Sequence, residues 1–205
     1  MGFLGFTATF LGALFGEDTP DFDYYVLALS WSPSFCERVD YDAIQCEEAG
    51  RTFVTHGLWP QYEEGWPEYC DTAARDPSRS ETRAQTDLFG SGDAAWYQWK
   101  KHGRCSGLEP EDYFAANRAA YEAFTIPPVL EKLTKDIRID PSVVEEAVLE
   151  VNPQLNADQV TITCKSNMIA EVRLCLTKDL EPRRCGDDVI RDCTQSGVRM
   201  PGISP

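Results

Sequence analysis

His56 and His102 are the only histidines in this chain of 205 residues. Imidazole is the side chain whose ordinary pKa, about 6.5, lets it both take and give protons near neutrality. His56 opens the run His56-Gly57-Leu58-Trp59-Pro60, and His102 stands between Lys101 and Gly103, with Cys105 just beyond. Gln98, Lys101 and His102 fall at i, i+3 and i+4, so a helix puts an amide, a cation and an imidazole on one face. Two imidazoles that converge on one phosphorus can act as base and acid there. One takes the proton of a ribose 2′-OH, the other protonates the leaving 5′ oxygen, and a cation stabilises the charge that gathers between them. That chemistry needs no metal, and it is confined to RNA because the 2′-OH is the nucleophile. Each histidine also has a plainer reading: a charge cap at a helix C-terminus for His102, and a turn histidine bonded to backbone for His56.

The surrounding sequence says what positions these groups. Asp23 to Trp31 is aromatic and β-branched enough for a buried strand, closed by Ser32 and Pro33. A second strand, Arg51 to Thr55, runs into the His56–Pro60 segment, where Gly57 and Pro60 predict a turn. Gln61 to Gly92 is rich in turn formers and reads as a long loop with at most one short helix. A loop of that length usually shapes a site. Ala94 to Lys101 reads as a helix ended by Gly103, with Trp96 and Trp99 off the reactive face and in the core. Pro110 opens a helix through Phe124 with Tyr113, Phe114, Tyr121 and Phe124 as its apolar stripe. Ser142 and Glu145 make a capping box for a helix through Glu150. Gln159 to Lys165 and Ile169 to Leu176 alternate as strands, joined by a Ser166-Asn167 hairpin turn. Strands at both ends and helices in the middle give an α+β class.

The net charge of −15 argues against any protein that grips nucleic acid through a broad basic face. An enzyme acting on one phosphate needs only local positive charge, so RNA is expected as a transient substrate, without a stable nucleic-acid complex. The eight cysteines are even in number and include no Cys-x-x-Cys pair, which points to disulfides and away from a metal site. Disulfides persist outside the cytoplasm, so an extracellular or periplasmic protein is expected. Residues 1–16 have the short apolar stretch of a signal peptide or leader, although no basic residue follows Met1 and Gly16 is a poor cleavage site. That leaves 17–205 as one domain, expected to be monomeric, with no cofactor and no membrane partner.

The segments His56-Gly57-Leu58-Trp59-Pro60 and Lys101-His102-Gly103, with Cys105 and the strand ending Trp31-Ser32-Pro33, resemble the ribonuclease T2 family over most of Asp21 to Cys193. The resemblance implies a single disulfide-stabilised α+β domain with a central, mainly antiparallel sheet flanked by helices. It implies endonucleolytic cleavage of single-stranded RNA through a 2′,3′-cyclic phosphate, with His102 as base, His56 as acid and Lys101 stabilising the transition state. It implies Trp59 as a base-stacking aromatic, Gln61 and Trp66 in the neighbourhood that reads the base, and Tyr97 as a phosphate contact. With the spacing, it suggests the pairs Cys36–Cys46, Cys70–Cys105, Cys164–Cys193 and Cys175–Cys185. Two positions depart from the family pattern: Gln98 replaces a usual Glu, and Tyr97 replaces a frequent His. Gln98 keeps hydrogen bonding but loses charge, so His102 is expected to stay neutral over more of the pH range. The alternative reading is a weakened or inactive relative that serves as an RNA- or protein-binding module.

Overall fold

The computed structural model describes residues 20–39 and 43–204; the leader expected over residues 1–16 lies outside them. The elements run β1 (Tyr24–Trp31), α1 (Ser32–Cys36), α2 (Ile44–Glu47), β2 (Phe53–Gln61), α3 (Arg79–Arg83), α4 (Thr86–Phe89) and α5 (Gly92–Lys101). After a 3-10 turn at Gly103–Cys105 come α6 (Pro110–Glu122), α7 (Pro128–Glu131), β3 (Ile137–Ile139) and α8 (Pro141–Val151). The chain ends in β4 (Val160–Lys165), β5 (Met168–Leu176) and β6 (Val198–Met200). The sheet order is β2-β1-β5-β6-β3, with β4 beside β5. Every pairing is antiparallel except the short β5–β6 contact. This is the expected α+β fold, and the four disulfides join the expected pairs.

β1 is the spine because all eight of its residues are buried. Tyr25, Leu27, Leu29 and Trp31 face the main core with Trp99, Tyr113, Phe114 and Val148 from the helices. Tyr24 and Val26 face the other way, onto Cys175, Cys185 and Val189. Beyond them on that second face stand Ala28 and Ser30, too small to fill it. Ala28 lies opposite Gly57 on one side and Arg173 on the other, and Ser30 lies opposite Glu171. A shallow row of small side chains therefore floors the sheet where the charged residues of β5 project.

The turn expected at His56–Pro60 is not there; β2 continues through all five residues. Pro60 is tolerated because β2 is an edge strand, where one missing backbone donor breaks no inner ladder. Gly57 is accommodated by a β-bulge: Ala28 pairs with Gly57 and Leu29 with Thr55, so His56 is the extra residue. The bulge also resets the alternation. Phe53 reaches the main core before it and Leu58 after it, which sends Trp59 to the opposite face. Asn117 from α6 accepts from Thr55 Oγ1 at 2.9 Å, and Thr55 Oγ1 accepts from the Gly57 N–H at 3.0 Å, pinning the distortion.

Other expectations need correction. The long loop holds two short helices, the first opened by a Ser78–Glu81 capping box. The box expected from Ser142 does not form: α8 starts at Pro141, and Asp140 accepts from the Gly197 N–H instead. The hairpin at Ser166-Asn167 is present, with both residues at positive φ. Trp99 is fully buried, but Trp96 is exposed beneath Lys100.

Gly57 has φ +135°, and a Cβ there would sit 2.7 Å from Trp59 Nε1 and 2.9 Å from Gln98 Oε1. Gly57→Ala is therefore expected to lower stability by about 2–4 kcal/mol through backbone strain and overpacking. Urea unfolding of the variant beside the parent measures this.

Candidate active site

A cleft of about 1050 Å³ opens on the second face of the sheet. His56, Glu171 and Arg173 line it from the strands, Tyr97, Gln98 and Lys101 from α5, and Phe35 and Arg38 from the α1 segment. Four basic side chains (Arg38, Lys101, Lys165, Arg173) and two acidic ones (Asp93, Glu171) border the space. The local balance is thus positive in a chain whose net charge is −15.

His56, set out of the ladder by the bulge, bonds through Nδ1 to Glu171 Oε1 at 2.8 Å. The Phe35 ring meets its edge at 5.9 Å and 77°. Arg173 donates from two nitrogens to Glu171 Oε2, at 2.7 and 2.9 Å. Burial works against ionisation of Glu171, but the His56 hydrogen bond and the Arg173 charge outweigh it and hold its pKa down to about 2.

His102 caps α5, its backbone N–H donating to the Gln98 carbonyl at 2.9 Å. It is 5% exposed, and its Nδ1 is buried without a hydrogen-bond partner. Burial first, and then the Lys101 charge, push its pKa down to about 3. Gln98 adds no charge to oppose these effects. Neither His102 nor Trp59 is among the cleft-lining side chains; the Trp59 indole stacks on His102 at 5.0 Å and 25°.

Trp59 Nε1 donates to the His56 carbonyl at 3.1 Å and to Gln98 Oε1 at 3.0 Å. The ring also carries the Arg173 guanidinium at 5.3 Å. It therefore joins the two histidine segments, a role its expected use as a base-stacking ring had not included. Gln98, 9% exposed, is committed to that bond. Lys101 Nζ lies 3.4 Å from Glu68, which also accepts from Trp66 Nε1 at 3.3 Å. Tyr97 is exposed on the cleft wall, its hydroxyl 3.3 Å from that of Tyr69. Trp66 stays outside the cleft lining. Gln61 is 4% exposed with its amide donating to the Pro60 carbonyl, so it is not brought to the cleft. The Cys70–Cys105 bond clamps the loop after β2 to the turn after His102. Among the described residues, no three His, Cys, Asp or Glu side chains gather as a metal-ligating group.

The profile of the Ribonuclease T2 family matches residues 22–185. The chain belongs to the ribonuclease T2 family. A ribonuclease of Aeromonas hydrophila is 43% identical to this T2-family chain over 93 residues, 45% of this chain and 42% of that protein. Ribonuclease DdI of Dictyostelium discoideum is 28% identical over 199 residues, 90% of this chain and 86% of that protein. The solved structure of RNase NT in complex with 5′-AMP shares the fold at TM-score 0.69 and 22% identity, covering 89% of this chain and 100% of that one. The chain spans about half the length of several curated relatives it matches.

Sequence reading of this T2-family chain missed Glu171, Arg173, Phe35 and Arg38. One signal was available: β5 reads Met-Ile-Ala-Glu-Val-Arg-Leu-Cys-Leu, and two charges at i and i+2 in an apolar strand share a face.

Two lowered groups of the site contribute to acid stability. His102 titrates in the fold near 3, below its ordinary 6.5, so the unfolded chain takes that proton first as pH falls. Stability from the buried neutral ring is full above about 6.5 and is lost toward 3, by roughly 3 kcal/mol between pH 7 and pH 4. The Glu171 contribution is full above 4.5 and is lost toward 2. Urea midpoints should fall steadily from pH 7 to pH 4, and His102→Phe should flatten most of that slope.

Proposed function

We propose that this chain is a secreted or periplasmic endoribonuclease that cuts single-stranded RNA by transesterification through a 2′,3′-cyclic phosphate. His102 is the base on the 2′-OH and His56 the acid to the leaving group. As the 2′-O–H bond breaks, its proton passes to His102 and the oxygen bonds to phosphorus. The P–O5′ bond then breaks, and O5′ takes the proton held on His56 Nε2. Lys101, on the cleft wall, is the cation for the equatorial oxygens, and Arg173 and Arg38 hold the strand's other phosphates. Tyr97 contributes a neutral hydroxyl.

The observation that carries this reading is the contrast between the two imidazoles. His102 is buried beside a lysine, which keeps it neutral and able to accept a proton. His56 is hydrogen-bonded to a carboxylate that stays ionised, which suits a ring that must arrive carrying a proton. The buried, unpartnered ring is the one assigned as base, and the ring bonded to the carboxylate is the one assigned as acid. The names of the relatives and the four disulfides support the substrate class and the oxidising compartment. RNA is met as a passing substrate, by a monomer.

Incubating the oxidised protein with polymeric RNA and EDTA across pH 4 to 8 tests the proposal. Cyclic-phosphate ends should appear, with a loss of about 10²–10⁴-fold in each of His56→Ala and His102→Ala. No cleavage at any pH would leave the binding-module reading standing, and cleavage that requires metal would overturn the mechanism. Gln98→Glu keeps the acceptor for Trp59 but places a charge beside His102. It is expected to move the acid limb of the pH–rate profile upward, and an unmoved limb would show that position 98 only braces Trp59.

A further inference from the structure

We propose that Glu171 and Arg173 are positioning residues for the general acid: Glu171 fixes the Nδ1–H tautomer of His56, and Arg173 fixes Glu171. The inference rests on the reading of His56 as the acid. It adds a hydrogen-bonded chain on β5 that decides which ring nitrogen meets the leaving oxygen.

β5 lies between β1 and β4 in the sheet, and its other cleft-distant residues are apolar. A carboxylate with a side chain only 13% exposed on such a strand must be compensated to persist. Glu171 is compensated on both oxygens, and unequally. Oε2 takes the two-pronged Arg173 contact, while Oε1 is spent on a single partner, His56 Nδ1 at 2.8 Å. A purely structural ion pair needs only the arginine. The second bond reaches the one residue that the bulge has freed from the ladder, and whose ring would otherwise be held only by Phe35 at its edge.

The charges facing His56 are few and opposed. Glu171 and Arg173 come from β5, Arg38 from the end of α1, and Lys101 from α5 across the cleft. Lys165 from β4 and Asp93 from α5 border the same space, and of all these charges only Glu171 is hydrogen-bonded to the ring. Glu171 is not itself a proton donor in this scheme, because both of its oxygens are occupied and it stays ionised. When His56 gives its Nε2 proton to O5′, the neutral ring that remains is the Nδ1–H form, the tautomer that Glu171 accepts from. The proton count closes without further rearrangement. Arg173 also lies over Trp59, the ring stacked on His102, so the same guanidinium braces both sides of the site.

The test uses Glu171→Ala and Glu171→Gln in the full disulfide-bonded chain. Ring 15N shifts of the two histidines, assigned with His102→Phe, should read the Nδ1–H tautomer for neutral His56 in the parent. The tautomer should revert to Nε2–H in Glu171→Ala and persist in Glu171→Gln, whose amide oxygen still accepts. Kinetics separate the acid from the rest of the site. On RNA, Glu171→Ala should lose about 10²-fold or more in kcat with KM little changed. On uridine 3′-(4-nitrophenyl phosphate), whose leaving group needs no proton, the loss should be slight. In Glu171→Gln the alkaline limb of the RNA profile should move to lower pH. Equal losses on both substrates, or an unchanged tautomer in Glu171→Ala, would overturn the inference and leave Glu171 a structural ion pair. If the parent cleaves neither substrate, the ribonuclease reading fails instead, and the 15N tautomer still decides whether Glu171 directs the ring.

Discussion

The indole of Trp59 holds the two halves of the site together. Its face stacks on His102, its N–H bridges the His56 carbonyl and the Gln98 amide, and its other surroundings include Arg173. A single rigid ring thus fixes the C-terminal end of α5 against the bulged edge strand. Much else follows from making that contact possible. Gly57 must lack a Cβ because the indole nitrogen and Gln98 occupy the space. Gly103 must lack one because Trp99 and Tyr113 close over it. Covering His102 with an aromatic ring removes water from it, and that loss of hydration drives its low pKa.

The same packing gives an acidic protein a locally positive cleft. Charges far from the cleft are screened within about 8–10 Å at ordinary ionic strength, whereas those lining it act across a few ångströms of poorly hydrated space. Arg38, Lys101, Lys165 and Arg173 therefore set the local field, with Asp93 and Glu171 as their counterweights. Glu171 is held by its neighbours, and Lys101 is partly engaged by Glu68.

Much of this was written in local patterns. The β1 run, the Pro110 helix, the Ser166-Asn167 hairpin and the α5 segment ending at Gly103 all follow from periodicity and punctuation over a few residues. Two errors are instructive. Gly57 and Pro60 read as a turn because local rules treat both as strand breakers. The edge position and the bulge that tolerate them exist only once β2 has found β1. The capping box at Ser78 was legible but hidden within a turn-rich stretch, whereas the one at Ser142 was displaced when Asp140 turned to Gly197.

By itself the sequence supplied the candidate groups: two histidines, a lysine next to the second, eight cysteines for four bonds, and a segment specific enough to point to the family. These are statements about residue types at short spacing, which chain connectivity alone enforces. Only the tertiary structure decided how the groups are tuned. His56 and Glu171 are 115 residues apart, and no local rule brings β2 and β5 onto one face. The bulge does so by shifting the alternation, and the small Ala28 and Ser30 between them leave the face open. Burial of His102, the opposing chain through Glu171 and Arg173, and the exclusion of Gln61 are all consequences of long-range packing. They depend on which surfaces meet, and that is fixed only when the sheet and helices close over the same core.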